Sequence, residues 1–319
     1  MPKFEETIEL GNEATGAQTW QNKSLTQHMR TIGRGRLKTL HGYSWQTGAL
    51  EFLGISVLIL YLLPFYLMVV NSLKTRREIF DNTTGLPEVF AWENYLQAME
   101  RMGIFDAFAN SMIITVGSVA LIIVVSALAA WMLVRNQSKT SKVVFYIFVA
   151  AMIIPFQAVM LPLVKWMGML KIDVFNFQMI GTHYGLMFMY LGFGTSMSIF
   201  LYHGFIKSIP IEIEEAARID GCSKWQTFWY IIFPILKPIT VTVMVLNAIW
   251  IWNDFLLPFL TVGGTINTIP LAMNNFFGAF TKQWELAMAG LILAIIPIMI
   301  FYFFMQKHII KGITQGAVK

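Results

Sequence analysis

Six apolar stretches, each long enough to cross a bilayer, constrain this chain more than any other feature. They run over about residues 52–70, 111–133, 143–163, 184–205, 235–260 and 286–305. A helix needs roughly 20 apolar residues to span the hydrocarbon layer. Without water, every backbone polar group must be satisfied inside its own segment. The pattern therefore predicts an all-α membrane protein with six transmembrane helices. Charge agrees: only 13% of the 319 residues are charged, where a soluble domain carries about a quarter, and lipid excludes charged side chains.

Lysine and arginine set the expected orientation. With the N-terminus inside, sixteen of them fall in inner segments and seven in outer ones. This predicts a multi-pass membrane protein with both termini in the cytoplasm. Residues 1–48 hold no span and read as a polar, then basic, cytoplasmic extension whose Arg and Lys can meet anionic lipid. They are too polar at the start for a cleavable signal peptide. Gly33-Arg34-Gly35-Arg36-Leu37-Lys38-Thr39 resembles a phosphate-binding loop only superficially, because no Gly directly precedes the Lys. No Walker motif occurs elsewhere, so this chain is not expected to hydrolyse ATP. Its five histidines lack metal-ligand spacing and Cys222 has no cysteine partner. No nucleophile-and-base set or carboxylate pair marks an enzyme, and no metal or nucleic acid is expected as a ligand. Gly181 and Gly185 have the spacing of a helix-packing pair.

The polar break at residues 207–234 reads as helix, turn, helix. Pro210 suits a first helical turn, and Glu212, Glu214 and Glu215 favour the positive end of the helix dipole. Asp220-Gly221 signals a turn in which Gly221 takes the left-handed conformation. Ser223 with Gln226 forms a capping box for a second helix, 224–233, which is expected to stop at Pro234.

Glu215-Ala216-Ala217, three residues, Gly221, nine residues, then Ile231-Ile232-Phe233-Pro234 resembles the EAA loop of binding-protein-dependent ABC importers. Phe233 stands where the family pattern has Leu. Further stretches resemble carbohydrate-importer permeases of the MalG-like kind: Asn71-Ser72-Leu73-Lys74, Glu93-Asn94-Tyr95, Asn110-Ser111 opening the second span, and Pro155 with Pro162 in the third. So do Trp252-Asn253-Asp254-Phe255 with Pro258, and the ending Gln306-Lys307-His308-Ile309-Ile310-Lys311-Gly312 and Gly316-Ala317-Val318-Lys319. The likeness covers about residues 49–319, the expected six-span domain, and leaves 1–48 aside.

The resemblance implies a permease subunit of a prokaryotic inner membrane that forms half of a sugar pathway. It implies a MalF-like second permease, an ATPase dimer that carries ATP and Mg, and an extracytoplasmic solute-binding protein as partners. This chain would hold no cofactor. Glu214, Glu215, Ala216, Ala217, Asp220, Gly221 and Pro234 would couple to the ATPase. The tail 306–319, with Gly316, Ala317, Val318 and Lys319, would insert between the ATPase subunits; read alone, it is a basic juxtamembrane tail.

Asn247, Trp250, Asn253 and Asp254 fall on or near one face of the fifth span and are candidates to line the pathway. Alternatively, Asp254 pairs with a neighbour and holds the bundle. The loop 261–284 carries Gly263, Gly264, Asn274, Asn275, Phe276 and Phe277. It reads either as a glycine-hinged, aromatic-tipped contact for the binding protein or as an interfacial anchor. His203 reads as packed or interfacial. Two rivals stay open: a secondary transporter driven by an ion gradient, which calls for several buried carboxylates, and an intramembrane enzyme.

Overall fold

The computed structural model describes residues 45–172, 177–278 and 282–317. The expectations placed on residues 1–44, Val318 and Lys319 lie outside the described residues. The chain divides into two compact units, Met1–Pro64 and Phe65–Lys319. The described part of the first is the beginning of α1 (Trp45–Ser72), an apolar helix with exposed side chains from Phe52 to Leu63.

Among the described residues, the regular structure of the second unit is helical, apart from one isolated bridge and a two-residue antiparallel ladder between β1 (Lys171–Ile172) and β2 (Phe177–Gln178). After the end of α1 come α2 (Arg76–Asp81), α3 (Glu93–Met102), α4 (Ile104–Arg135), α5 (Lys139–Ala151) and α6 (Phe156–Met169). Then follow α7 (His183–Ile206), α8 (Glu212–Ile219), α9 (Lys224–Ile235) and α10 (Lys237–Asn253). The chain closes through α11 (Leu256–Thr261), α12 (Ile269–Met273) and α13 (Trp284–Ala317).

Among the described residues, four helices, α1, α4, α7 and the stretch Trp284–Gln306 of α13, are each long and apolar enough to cross a membrane. Counting each of two bent pairs, α5 with α6 and α9 with α10, as one broken span brings the number to six. The third expected span, 143–163, is therefore not continuous: α5 and α6 meet at 105°. Ile154 precedes Pro155, and a residue before proline is pushed out of the helical region. Pro155 then caps α6 with extended backbone, φ −68° and ψ 139°. The fifth, 235–260, is shorter than expected. It begins only after a 75° bend from α9 and ends at Asn253, where Asp254 turns extended. The second opens earlier than expected, at Ile104, so Asn110-Ser111 lies nearly two turns inside it.

The core lies between α4, α7 and α10, where Ile122, Leu186, Tyr190, Ile199 and Val243 are buried together. Gly194 makes this approach possible: a Cβ there would lie 2.5 Å from Ile122 Cδ1 and 2.7 Å from Asn247 Oδ1. A second cluster joins Ala98 and Met102 of α3 to Trp252, Ala272, Phe276 and Leu286. The spacing of Gly181 and Gly185 is not a helix-packing pair after all. Gly181 precedes α7 with φ +79°, and Gly185 packs against the Met179 carbonyl instead.

Two of the short motifs turn out to be one structure. Asn94 Nδ2 donates to the carbonyls of Ser72 (2.9 Å) and Lys74 (2.8 Å), and Ser72 Oγ bonds the Tyr95 hydroxyl at 2.8 Å. Lys74 is fully buried and donates to the Asn82 carbonyl at 2.6 Å. The end of α1 is thus tied to α3 through polar groups that would otherwise be costly to bury.

Candidate coupling loop and translocation face

The chain between α7 and α10 is a pair of capped helices. Pro210 lies outside α8 rather than in its first turn; Ile211 is the N-cap, and Glu212, Glu214 and Glu215 fill that turn. At the other end, Cys222 N–H donates to the Ala217 carbonyl (2.9 Å) and Gly221 N–H to that of Arg218 (3.0 Å). With Gly221 at φ +84°, this is a complete Schellman stop. Two residues later Ser223 and Gln226 form the reciprocal capping box that starts α9. The joint between the helices is therefore short and held by hydrogen bonds on both sides.

The second helix does not stop at Pro234. Its middle, Thr227–Ile232, is π-helical, and Phe233 N–H reaches back to Phe228. The widened turn lets Pro234 sit within Phe233–Ile235, because a changed hydrogen-bond register removes the demand for the missing donor. The chain bends after Ile235 instead.

One face of α8 turns inward. Glu214 and Ala217, three residues apart, are buried, whereas Glu215, Ala216 and Asp220 are exposed. Glu214 is fully buried and its carboxylate accepts from Arg135 Nε at 2.7 Å. Trp131 Nε1 donates to both carboxylate oxygens, at 3.2 and 3.1 Å. Arg135 also donates to the Ile209 carbonyl at 3.1 Å, and the Trp131 ring packs on Phe228 of α9 with centroids 5.3 Å apart. The last turn of α4 thereby holds α8, its approach and α9 at one point. Of the expected ATPase-coupling residues, Glu214 belongs to this internal node and Ala217 is buried on the same side of α8. Away from the node, large apolar groups stay uncovered: Ile219 of α8 is 87% exposed and Trp225 of α9 65%. Sequence reading missed Trp131, Arg135 and Ile219.

The four candidates on α10 do not share a face. Asn247 is buried and donates to Ser198 Oγ (3.1 Å) and the Val243 carbonyl (2.9 Å). Trp250 is part-exposed beside Tyr190. Asn253 points outward and bonds its own helix at Ile249. Asp254 lies beyond the helix, where it accepts from the Tyr190 hydroxyl at 2.9 Å and from Leu256 N–H at 3.1 Å. The carboxylate thus shapes the break between α10 and α11. Asn247 and Trp250, but not Asn253 or Asp254, border a cavity of about 740 Å³ between α5, α6, α7 and α10. Its polar groups include Thr195 and Ser196, which the sequence did not single out, and its walls include Phe156 and Phe193.

The loop after α11 is strapped down. Gly263 and Gly264 terminate α11, with Gly263 N–H on the Pro258 carbonyl at 3.0 Å and Gly264 at φ +92°; they are not a free hinge. Asn110 donates to the Asn267 carbonyl and Ser111 accepts from Ile269 N–H. Phe276 is fully buried, so it is not an aromatic tip. Asn274, Asn275 and Phe277 remain exposed, beside the isolated bridge between Phe277 and Lys282. His203 is buried and stacks on Phe145 with centroids 3.8 Å apart. Gly316 and Ala317 lie at the end of the α13 backbone. Among the described residues no group of His, Cys, Asp and Glu is placed to hold a metal ion.

The fold resembles that of a bacterial ABC transporter involved in the import of the acidic polysaccharide alginate. The TM-score is 0.69 at 20% identity, over 83% of this chain and 98% of that one. Among curated proteins, the chain is 46% identical to a probable starch degradation products transport system permease protein, AmyC, of Thermoanaerobacterium thermosulfurigenes. That match covers 85% of this chain and 96% of the relative. It is 35% identical to the melibiose/raffinose/stachyose import permease protein MelC of Bacillus subtilis, over 81% of this chain and 92% of the relative. It is also 35% identical to the multiple sugar-binding transport system permease protein MsmG of Streptococcus mutans, over 87% and 97%. These relatives are permeases, and this chain is a permease subunit rather than an enzyme. Residues 97–315 match the model of one family. The chain belongs to the binding-protein-dependent transport system inner membrane components, the permease subunits of ABC importers.

Proposed function

We propose that this chain is one of two permeases in an ATP-driven importer of oligosaccharides. Residues 49–319 form its membrane domain, both termini lie in the cytoplasm, and 1–48 are a cytoplasmic extension. A MalF-like permease completes the pathway, a separate ATPase dimer binds ATP and Mg, and an extracytoplasmic binding protein delivers the sugar. The names of the relatives, which specify starch products, raffinose-type sugars and multiple sugars, support the substrate class.

The observation that carries the coupling role is the asymmetry of α8. Its inner face is held to α4 through Glu214 and Arg135, while Ile219 on its outer face is open. Glu215, Ala216, Asp220 and Gly221, with Ile219 and Trp225, dock in a groove of the ATPase. ATP binding draws the ATPases together, and the internal node passes the displacement of α8 to α4. Differential contact with the two ATPase states then shifts the bundle between inward-open and outward-open forms. Pro234 serves this by keeping α9 rigid up to the bend. The tail ending in Gly316, Ala317, Val318 and Lys319 meets the ATPase pair, and Asn274, Asn275 and Phe277 face the binding protein.

The cavity beside Asn247 and Trp250 contributes to the sugar path, since a flat aromatic face and amide or hydroxyl groups match the two sides of a sugar ring. Uptake of labelled starch oligosaccharides and raffinose tests the whole reading. Deleting the chain is expected to abolish uptake of at least one of them, and ATP depletion to do the same. Trp250→Ala is expected to lower that uptake about tenfold with membrane insertion unchanged, the loss of roughly one stacking contact. Uptake that persists without ATP would point to the ion-gradient mechanism.

A further inference from the structure

Where α4 ends and α5 begins, the bundle has a second polar hollow, of about 500 Å³, far from the cavity assigned to sugar in chemical character. Arg135, Ser141, Lys142, His203 and Lys207 line it, together with the aromatic pair Phe145 and Tyr146. No Asp or Glu lines it. Arg135 is already neutralised by Glu214. Among the described residues, neither Lys142 nor Lys207 has a carboxylate within ion-pair reach. The hollow therefore keeps two uncompensated ammonium groups.

Its position decides which anion suits it. Lys142 stands in the first turn of α5 and Lys207 just past the last turn of α7, so the cations sit at the level where two membrane helices leave the apolar layer. Directly along α5, Val143, Tyr146 and Ile147 form an exposed apolar strip, spaced on one helix face. A ligand matched to both parts carries a phosphate at one end and hydrocarbon at the other. The basic, partly aromatic hollow between membrane helices is a form suited to lipid headgroups, and cationic donors bind phosphate oxygens more strongly than neutral ones do.

We propose that this hollow binds the phosphate headgroup of an anionic phospholipid, held by Lys142 and Lys207, with one acyl chain lying along Val143, Tyr146 and Ile147. The hollow borders the internal node at Arg135 and the N-cap of α8 at Ile211, but shares no lining residue with the cavity at Trp250. It stands whether or not the sugar assignment does.

The test uses the assembled transporter, purified in mild detergent, exchanged into mixed micelles of phosphatidylglycerol and phosphatidylcholine, and read by native mass spectrometry. The unmodified protein is expected to retain phosphatidylglycerol in preference to phosphatidylcholine. The double variant Lys142→Ala/Lys207→Ala should retain about thirtyfold less, whereas Lys142→Arg/Lys207→Arg should keep the lipid. Both lysines are exposed, so folding is not at issue, and an unaltered melting temperature verifies it. Equal retention by the alanine variant would overturn the proposal. So would displacement of the lipid by millimolar inorganic phosphate, which would mark a free-anion site. Loss of a protein subunit from the alanine variant with lipid retention unchanged would make the hollow a protein contact and overturn it equally.

Discussion

Glu214→Ala is expected to destabilise the protein by about 3–5 kcal/mol, the cost of removing one partner from a buried ion pair. The carboxylate is fully buried and receives Arg135 Nε and Trp131 Nε1 together. Its loss leaves the buried Trp131 indole donor without its acceptor and Arg135 without its counter-charge. The pair as a whole contributes far less, because burying both charges already costs several kcal/mol. Arg135→Met with Glu214→Leu should therefore recover much of the stability that either truncation loses. It should not recover coupling, since Arg135 also holds the Ile209 carbonyl. Thermal unfolding in detergent, with a double-mutant cycle, measures the first effect. An alanine variant less than about 1 kcal/mol below the parent would mean that the node is not load-sharing between α4 and α8.

Gly221→Asp is expected to leave the protein inserted and to lower uptake by at least about tenfold. A Cβ at this position meets nothing within 4 Å, so the bundle has no clash to absorb. The cost is local: φ is +84°, and a left-handed residue other than glycine costs roughly 1–2 kcal/mol. The new charge also lies beside Asp220 at the negative end of α8, which adds about 0.3–1 kcal/mol. These penalties fall on the Schellman stop that fixes α8 against α9, and so on the angle at which Ile219 and Trp225 are presented. Gly221→Asn, which tolerates this conformation better and adds no charge, should lose less. Immunoblots of membranes alongside uptake assays separate insertion from coupling. Normal uptake by the Asp variant would remove the coupling role from this loop.

What the sequence disclosed was local. Gly221, Ser223 and Gln226 were readable because a Schellman stop and a capping box are set by residues a few positions apart. The apolar runs disclosed the spans for the same reason. The bends were partly announced by Pro155 and Pro234, but proline alone does not say whether a helix ends, kinks or shifts register, and at Pro234 the π-turn decided it. What stayed hidden was long-range. Arg135 and Glu214 are 79 positions apart, and nothing in either neighbourhood marks the other as its partner. Helical spacing placed Asp254 near the face of Asn247, but Asp254 leaves the helix, where its carboxylate accepts from Leu256 N–H. Phe276 looked like the tip of an exposed loop because an aromatic residue reads alike whether it reaches out or packs down.

The claim that α8 carries this permease's contact with a separate ATPase is tested most directly by cross-linking from Ile219. In a Cys222→Ser background, Ile219→Cys places one reactive thiol among the described residues, at a position 87% exposed. A short bifunctional reagent applied to native membranes, followed by mass spectrometry, identifies what lies against it. The account predicts an adduct with a Walker-motif ATPase whose yield changes when ATP is trapped on the complex. The absence of that adduct while the ATPase is present and co-purifies, or an adduct with lipid or another copy of this chain alone, would contradict it.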